Sequence, residues 1–196
     1  GIMFVPTGFI DRSVYPWEHA LRRSAWGGAN GPADAATDLA IERAIARGWD
    51  LGEAERSAWL EQFPRDERVF DIFASWEDIR SWRDVLIPGS HTVNHPRLDR
   101  CDDAGITHEY AESMRVIEAR TGVRPWAFAP PFGRSTPRSE QIASRYFTVQ
   151  FGAENGVNIA GKHYSLLKRI GPRPDARDNE YLLPRITLYY VRERFR

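Results

Sequence analysis

Cysteine is nearly absent: Cys101 stands alone in 196 residues. A single thiol excludes an internal disulfide framework and any multi-cysteine zinc site, and it leaves the redox compartment unread. Long apolar runs are missing too. No stretch approaches the roughly 20 residues that span a bilayer, and the opening GIMFVPTGFIDR lacks the basic and long apolar regions of a signal peptide. Neither sign of charge is in excess, with 27 Lys and Arg against 27 Asp and Glu and no block of like charge. That balance argues against nucleic acid or an anionic membrane as a partner and favours neutral sugars or small molecules. What is present, 42% hydrophobic and 12% aromatic residues, suffices for one sizeable core and a single domain over residues 1–196.

The chain enters a strand at once. Ile2, Met3, Phe4 and Val5 are apolar and are followed by Pro6 and Gly8, which read as a turn. A buried strand at the start of a chain suggests that a further segment precedes it. Residues 11–33, rich in Trp, Pro and Gly, read as a loop with one helical turn. Asp34 can cap a helix through Arg47, with Ile41, Ala44 and Ile45 on one face and Gly48 as its stop, and a second helix spans 52–63. Ser75 is the expected N-cap of SWEDIRSWRDV, and an apolar strand follows at 85–87. Thr107 is expected to cap a helix in which Tyr110, Met114 and Ile117 recur at helical spacing, with Gly122 past its end. PWAFAPPFG reads as a strand broken by Pro130 and Pro131, and STPRSEQIASR as a helix with Thr136 at the N-cap and Pro137 at the first position. YFTVQFG reads as a strand, 153–177 as loop, and YLLPRITLYYV as a last strand or strand pair interrupted at Pro184. Strands alternate with helices and no fixed-period repeat occurs, which predicts an α/β fold with a largely parallel sheet or barrel.

The chemistry concentrates in IPGSHTVNHPRLDR, residues 87–100, where His91 and His95 stand four apart. Neutral imidazoles suit a borderline ion such as zinc, and a pair at this spacing reaches one ion if the backbone between them makes a helical turn. The alternative is a pair of solvated loop histidines. Their place just beyond a strand favours a site, because α/β folds build sites at the C-terminal ends of strands. Asp102 and Asp103 follow no apolar strand and read as a solvated or capping pair. His108 falls in the first turn of a helix and is expected to be exposed.

GSHTVNHPRL resembles the second motif of the polysaccharide deacetylases, the family-four carbohydrate esterases. In order around it, MFVPTGFID is similar to that family's second barrel strand, SWEDIRSW to the helix before the motif, FAPPFGR to the third motif and NEYLLPRI to the closing strand. The resemblance implies a distorted (β/α) barrel, incomplete at its N-terminus. It further implies a divalent metal, usually zinc, that activates water against the acetamide of an N-acetylated polysaccharide or oligosaccharide. Carried over by position, His91 and His95 are metal ligands, Thr92 steadies their loop, the Phe132 N–H faces the oxyanion, and Arg185 stands where many members place a general-acid histidine. Trp17, His19 and Pro131 are candidates to line the substrate, although the aromatic loop around Trp17 and the APPFG turn can equally be packing. The location the resemblance suggests is the bacterial cell envelope or the exterior.

Three departures qualify it. The T-F-D-D-G strand that brings the third ligand and the general base is not in the sequence. Ala129 stands where many members have Arg, for which Arg124 or Arg134 can compensate, and L-P-R-I replaces L-x-H. The expectation is a deacetylase whose activity in this chain is weak or absent. A non-catalytic carbohydrate-binding relic and a hydrolase of a non-sugar amide are the alternatives. A missing first strand would leave a sheet edge through which copies can associate.

Overall fold

The computed structural model describes residues 1–25 and 34–169. In chain order the elements are β1 (Ile2–Val5), α1 (Thr7–Ile10), α2 (Trp17–Ala25), α3 (Ala35–Asp50), α4 (Glu53–Leu60), α5 (Trp76–Ser81), β2 (Ile87–Ser90), α6 (Asp103–Thr121), β3 (Ala127–Phe128), α7 (Pro137–Ala143), β4 (Val149–Asn155) and β5 (Leu167–Arg169), with 3-10 turns at Glu67–Ile72, Leu98–Arg100 and Pro131–Gly133. They form two compact units, one of Gly1–Gly8 with the described residues from Ser75 onward, the other of Phe9–Ala74.

The first unit holds the sheet. Its strands lie in the order β1-β2-β3-β4-β5 and every neighbouring pair is parallel. Parallel strands in sequential order, with helices between β1 and β2, β2 and β3, and β3 and β4, follow the progression of a (β/α) barrel. Among the described residues the barrel is incomplete. The core beside the sheet is Leu98, Ile106, Tyr110, Met114, Phe128, Ile142, Ala143 and Phe147. Tyr110 meets Phe128 edge-on at 4.8 Å and Phe128 stacks on Phe147 at 5.1 Å. Each fully buried ring of this kind contributes about 1.5–3 kcal/mol through its removal from water.

The end signals of the helices are largely those expected. Ser75 and Thr136 cap α5 and α7 by accepting the N–H groups of Asp78 and Ser139, and α6 ends at Gly122, whose φ of 74° suits a residue without Cβ. The N-terminus of α6 differs. Asp102, not Thr107, is its N-cap and accepts from the Gly105 N–H at 2.8 Å, so the helix begins five residues earlier. Strand β2 also shifts. Val85 and Leu86 donate their N–H groups to the Trp82 carbonyl and form the exit turn of α5, leaving Ile87–Ser90 as the strand. Tyr146 and Phe147 likewise belong to the turn after α7, and β4 begins at Val149. Within 153–177 the structure places the end of β4 and all of β5, a strand too short for alternation to register in sequence. The YLLPRITLYYV strand lies outside the described residues.

The second unit is helical in its described residues. The expected loop with one helical turn over 11–33 contains the full helix α2 at 17–25, because Ala20 and Leu21 are buried, Trp17 shares their face half-buried, and Glu18 and Arg22 suit the helix dipole. Gly48 does not stop α3, which runs to Asp50. A Cβ there would lie 2.7 Å from the Trp17 ring and 2.9 Å from Trp59, so the glycine admits a close helix packing instead. Leu21, Ile41, Ile45 and Trp59 form this unit's core.

Candidate functional site

The site grows from the C-terminal end of β2. The Ser90 carbonyl accepts from the Ala129 N–H at 3.1 Å, and the His91 N–H donates to the Val5 carbonyl at 3.1 Å, so β1 and β3 fix the backbone on both sides of His91. The His91 Nδ1–H donates to the Ala129 carbonyl at 2.7 Å. Because a carbonyl can only accept, the proton sits on Nδ1 and the lone pair on Nε2. Burial pushes the His91 pKa from 6.5 down to about 4, the Arg169 charge acts in the same direction and the Ala129 hydrogen bond opposes both. The ring is neutral near pH 7.

Beyond His91 the chain turns tightly. Thr92 and His95 both take positive φ, 68° and 53°, a region costing non-glycine residues about 1–2 kcal/mol. The Thr92 hydroxyl donates to the His91 carbonyl at 2.5 Å and accepts from the His95 N–H at 3.1 Å, tying one histidine to the other. The Thr7 and Gly8 N–H groups donate to the Thr92 and Val93 carbonyls at 3.1 and 3.0 Å. The result brings the His91 and His95 rings to 4.9 Å between centroids. Two imidazoles bound tetrahedrally to one zinc, with Zn–N of about 2.0–2.1 Å, place their centroids about 5 Å apart. The spacing of the two rings matches that separation. Among the described residues there is no group of three or more His, Cys, Asp or Glu able to hold a metal.

Phe132, at φ 60° in the Pro131–Gly133 turn, sets its half-exposed ring 4.6 Å from His95. Pro131 beside it is buried. Trp17 packs against Trp49 and Trp59 at 5.4 and 6.3 Å, and His19 lies edge-on to Phe9 and Phe73, so both rings are engaged inside the helical unit. Arg185 lies outside the described residues. Asp103 is an exposed partner of Arg138, and His108 is exposed as expected. Arg124 pairs with Glu118 at the surface, while Arg134 helps hold Asp99 below the ordinary carboxylate range, where Arg97 is the principal cause. Sequence reasoning did not find Ser113 and Glu109. Ser113 meets the Ser90 hydroxyl at 2.7 Å, and the Glu109 carboxylate accepts from the Val93 and Asn94 N–H groups at 2.8 and 3.0 Å. Their only signal was a place one turn apart on α6.

An α/β protein of (β/α)-barrel type with paired histidines at the end of a parallel strand is the class that fold and site define. Residues 67–149, the segment that carries α5, the histidine loop, α6 and the 130–133 turn, match the family described as polysaccharide deacetylase. It is similar to the Streptococcus pyogenes deacetylase PplD in complex with acetate, at 25% identity and a TM-score of 0.53 over 58% of this chain and 50% of that one. A polysaccharide deacetylase from Bacillus cereus is 22% identical, with a TM-score of 0.46, over 49% of this chain and 31% of the other. A gellan lyase from a Bacillus species is 29% identical over 134 residues, 64% of this chain and 5% of the lyase. The chain thus spans half the PplD chain and a small part of the lyase. Deacetylases of this family are generally metal-dependent and act on acetylated carbohydrate. No described helix is long and apolar enough to cross a membrane.

Proposed function

We propose that this protein is a metal-dependent hydrolase removing acetyl groups from N-acetylated sugars of a polysaccharide or oligosaccharide, with His91 and His95 as two ligands of a divalent ion, zinc in preference. All 196 residues belong to one such domain in this reading. The observation that carries it is the His91 ring, kept neutral by burial, fixed in one tautomer by the Ala129 carbonyl and 4.9 Å from His95.

When bound, such an ion supplies Lewis-acid activation of water and of the acetamide carbonyl. The residues themselves do the rest. His91 presents Nε2, and its Nδ1–H bond to Ala129 fixes the ring plane, as outer hydrogen bonds do at histidine metal sites. Thr92 holds His95 in place. In this reading the Phe132 N–H is the donor to the developing oxyanion. Among the described residues no carboxylate joins the pair. Two neutral imidazoles alone hold zinc weakly, and loss of a general base costs about 10²–10⁴-fold in the attack step, so slow turnover is the expectation for residues 1–196.

Zinc uptake and acetate release from N-acetylglucosamine oligomers, measured together on the 196-residue protein, test this. Zinc binding with slow, zinc-dependent acetate release is expected. Saccharide binding without zinc uptake would favour the carbohydrate-binding relic, and zinc-dependent release from a simple non-sugar amide alone would redirect the substrate.

A further inference from the structure

We infer that Glu109, on α6, is the positioning residue of the histidine loop: its buried carboxylate sets the backbone that aims His95 at His91. The inference rests on the metal-site reading for its consequence and on the loop's hydrogen bonds for its evidence.

Glu109 is 5% exposed, and an ionised carboxylate at such a place is costly unless hydrogen bonds take up its lone pairs. One oxygen accepts from two successive main-chain N–H groups, Val93 at 2.8 Å and Asn94 at 3.0 Å. The other accepts from the Asn94 side-chain amide at 2.5 Å. Val93 and Asn94 are the two residues between Thr92 and His95, the positions with φ of 68° and 53°. Two left-handed residues so close together do not persist by local preference, and the surroundings must over-determine them. Glu109 supplies that constraint, since charge-assisted hydrogen bonds are roughly twice as strong as neutral ones. One turn further along α6, Ser113 meets the Ser90 hydroxyl, which accepts from the Thr92 N–H at 3.3 Å. From residues i and i+4 of one helix, Glu109 thus holds the Val93 and Asn94 N–H groups directly, while Ser113 braces the Ser90 hydroxyl that accepts from Thr92. On its other side the loop's carbonyls are held by Thr7 and Gly8. Without the carboxylate, Val93 and Asn94 lose their acceptor and His95 its fixed direction.

The test compares wild type with Glu109→Ala, Glu109→Gln and the surface control Glu112→Ala. Two readouts are used: amide hydrogen exchange at Val93 and Asn94 in metal-free protein, and zinc affinity with the absorption of the cobalt-substituted form. Glu109→Ala should speed exchange at both amides about tenfold or more. It should also weaken zinc about 10–100-fold, as loss of outer support does at histidine sites, and change the cobalt spectrum. Glu109→Gln, which keeps an acceptor but no charge, should rescue most of the zinc affinity while exchange stays a few-fold faster than wild type. Glu112→Ala should match wild type. Unchanged exchange or unchanged zinc affinity in Glu109→Ala overturns the inference. Should that variant fail to fold, unaltered Val93 and Asn94 amide shifts in Glu109→Gln overturn it equally. A wild type that takes up neither zinc nor cobalt refutes the metal reading, a result the metal-free exchange data keep separate.

Discussion

At the scale of the residue, the neighbours of His91 suit it to the ligand role proposed for it. The Ala129 carbonyl chooses its tautomer and burial keeps it neutral, so its Nε2 lone pair is available across the physiological range. Replacing it with alanine should abolish zinc retention after dialysis, measured by metal analysis; equal zinc content in His91→Ala and wild type would show the assignment to be wrong. The same change leaves the buried Ala129 carbonyl without its donor, so a stability loss of about 1–3 kcal/mol should accompany it in denaturant unfolding. Glu18, in the helical unit, is the opposite kind of residue. Burial pushes its carboxyl from 4.5 up to about 7, although Arg22, the Trp49 indole and Arg56 favour ionisation. The folded protein therefore keeps a proton there that the unfolded chain has already released. Its contribution is fully present below pH 4.5 and is lost as pH rises through about 7. Thermal melts should show wild type losing roughly 1–3 kcal/mol relative to Glu18→Gln between about pH 5 and about pH 8. Parallel pH profiles of the two proteins would refute this.

Elements were legible where their signal is local. Ser75, Thr136 and Gly122 act on N–H and carbonyl groups within four residues, so sequence spacing alone places them. Helix α2 was not legible, because Trp17 and its aromatic surroundings resemble a loop by composition and become a helix face only against Trp49 and Trp59. The start of β2 was misplaced for a related reason. Val85 and Leu86 are more apolar than Pro88, Gly89 and Ser90, yet the latter are buried, since a Cβ on Gly89 would lie 2.9 Å from Ile2 and from the Phe4 ring. The N-terminus of α6 was a choice between two capping residues, Thr107 and Asp102, and the structure selects the earlier. Asp102→Ala should therefore cost about 1 kcal/mol in chemical denaturation, while Thr107→Ala, four residues inside the helix, should cost only a few tenths. A larger loss from Thr107→Ala would contradict the assigned cap. Because α6 carries Glu109 and Ser113, fraying of its first turn should also weaken zinc binding more in Asp102→Ala than in Thr107→Ala.

At the scale of the molecule, the paired histidines were readable as a motif, whereas the residues that hold them were not. Glu109 and Ser113 reach the loop from a helix that begins eight residues beyond His95, a contact that only folding creates. The sheet poses the remaining question. Among the described residues β1 lies at its end and pairs only with β2. The Gly1 and Val5 carbonyls accept from the Ile87 and His91 N–H groups at 2.8 and 3.1 Å, so the odd-numbered residues of β1 face β2. The backbone groups of Ile2 and Phe4 then point to the outer side, because successive residues of a strand address opposite neighbours. An edge with outward N–H and carbonyl groups pairs readily with another strand. Where nothing outside the described residues covers that edge, the 196-residue protein should self-associate through β1, and light scattering during gel filtration should show a concentration-dependent dimer. Ile2→Pro removes an outward donor and no bond to β2, a substitution that edge positions tolerate. It should shift the protein to monomer at a cost of about 1 kcal/mol, from the lost contact of the Ile2 side chain over Gly89. A wild type that is monomeric at every concentration, or a proline variant that dimerises as before, would place the association elsewhere or nowhere.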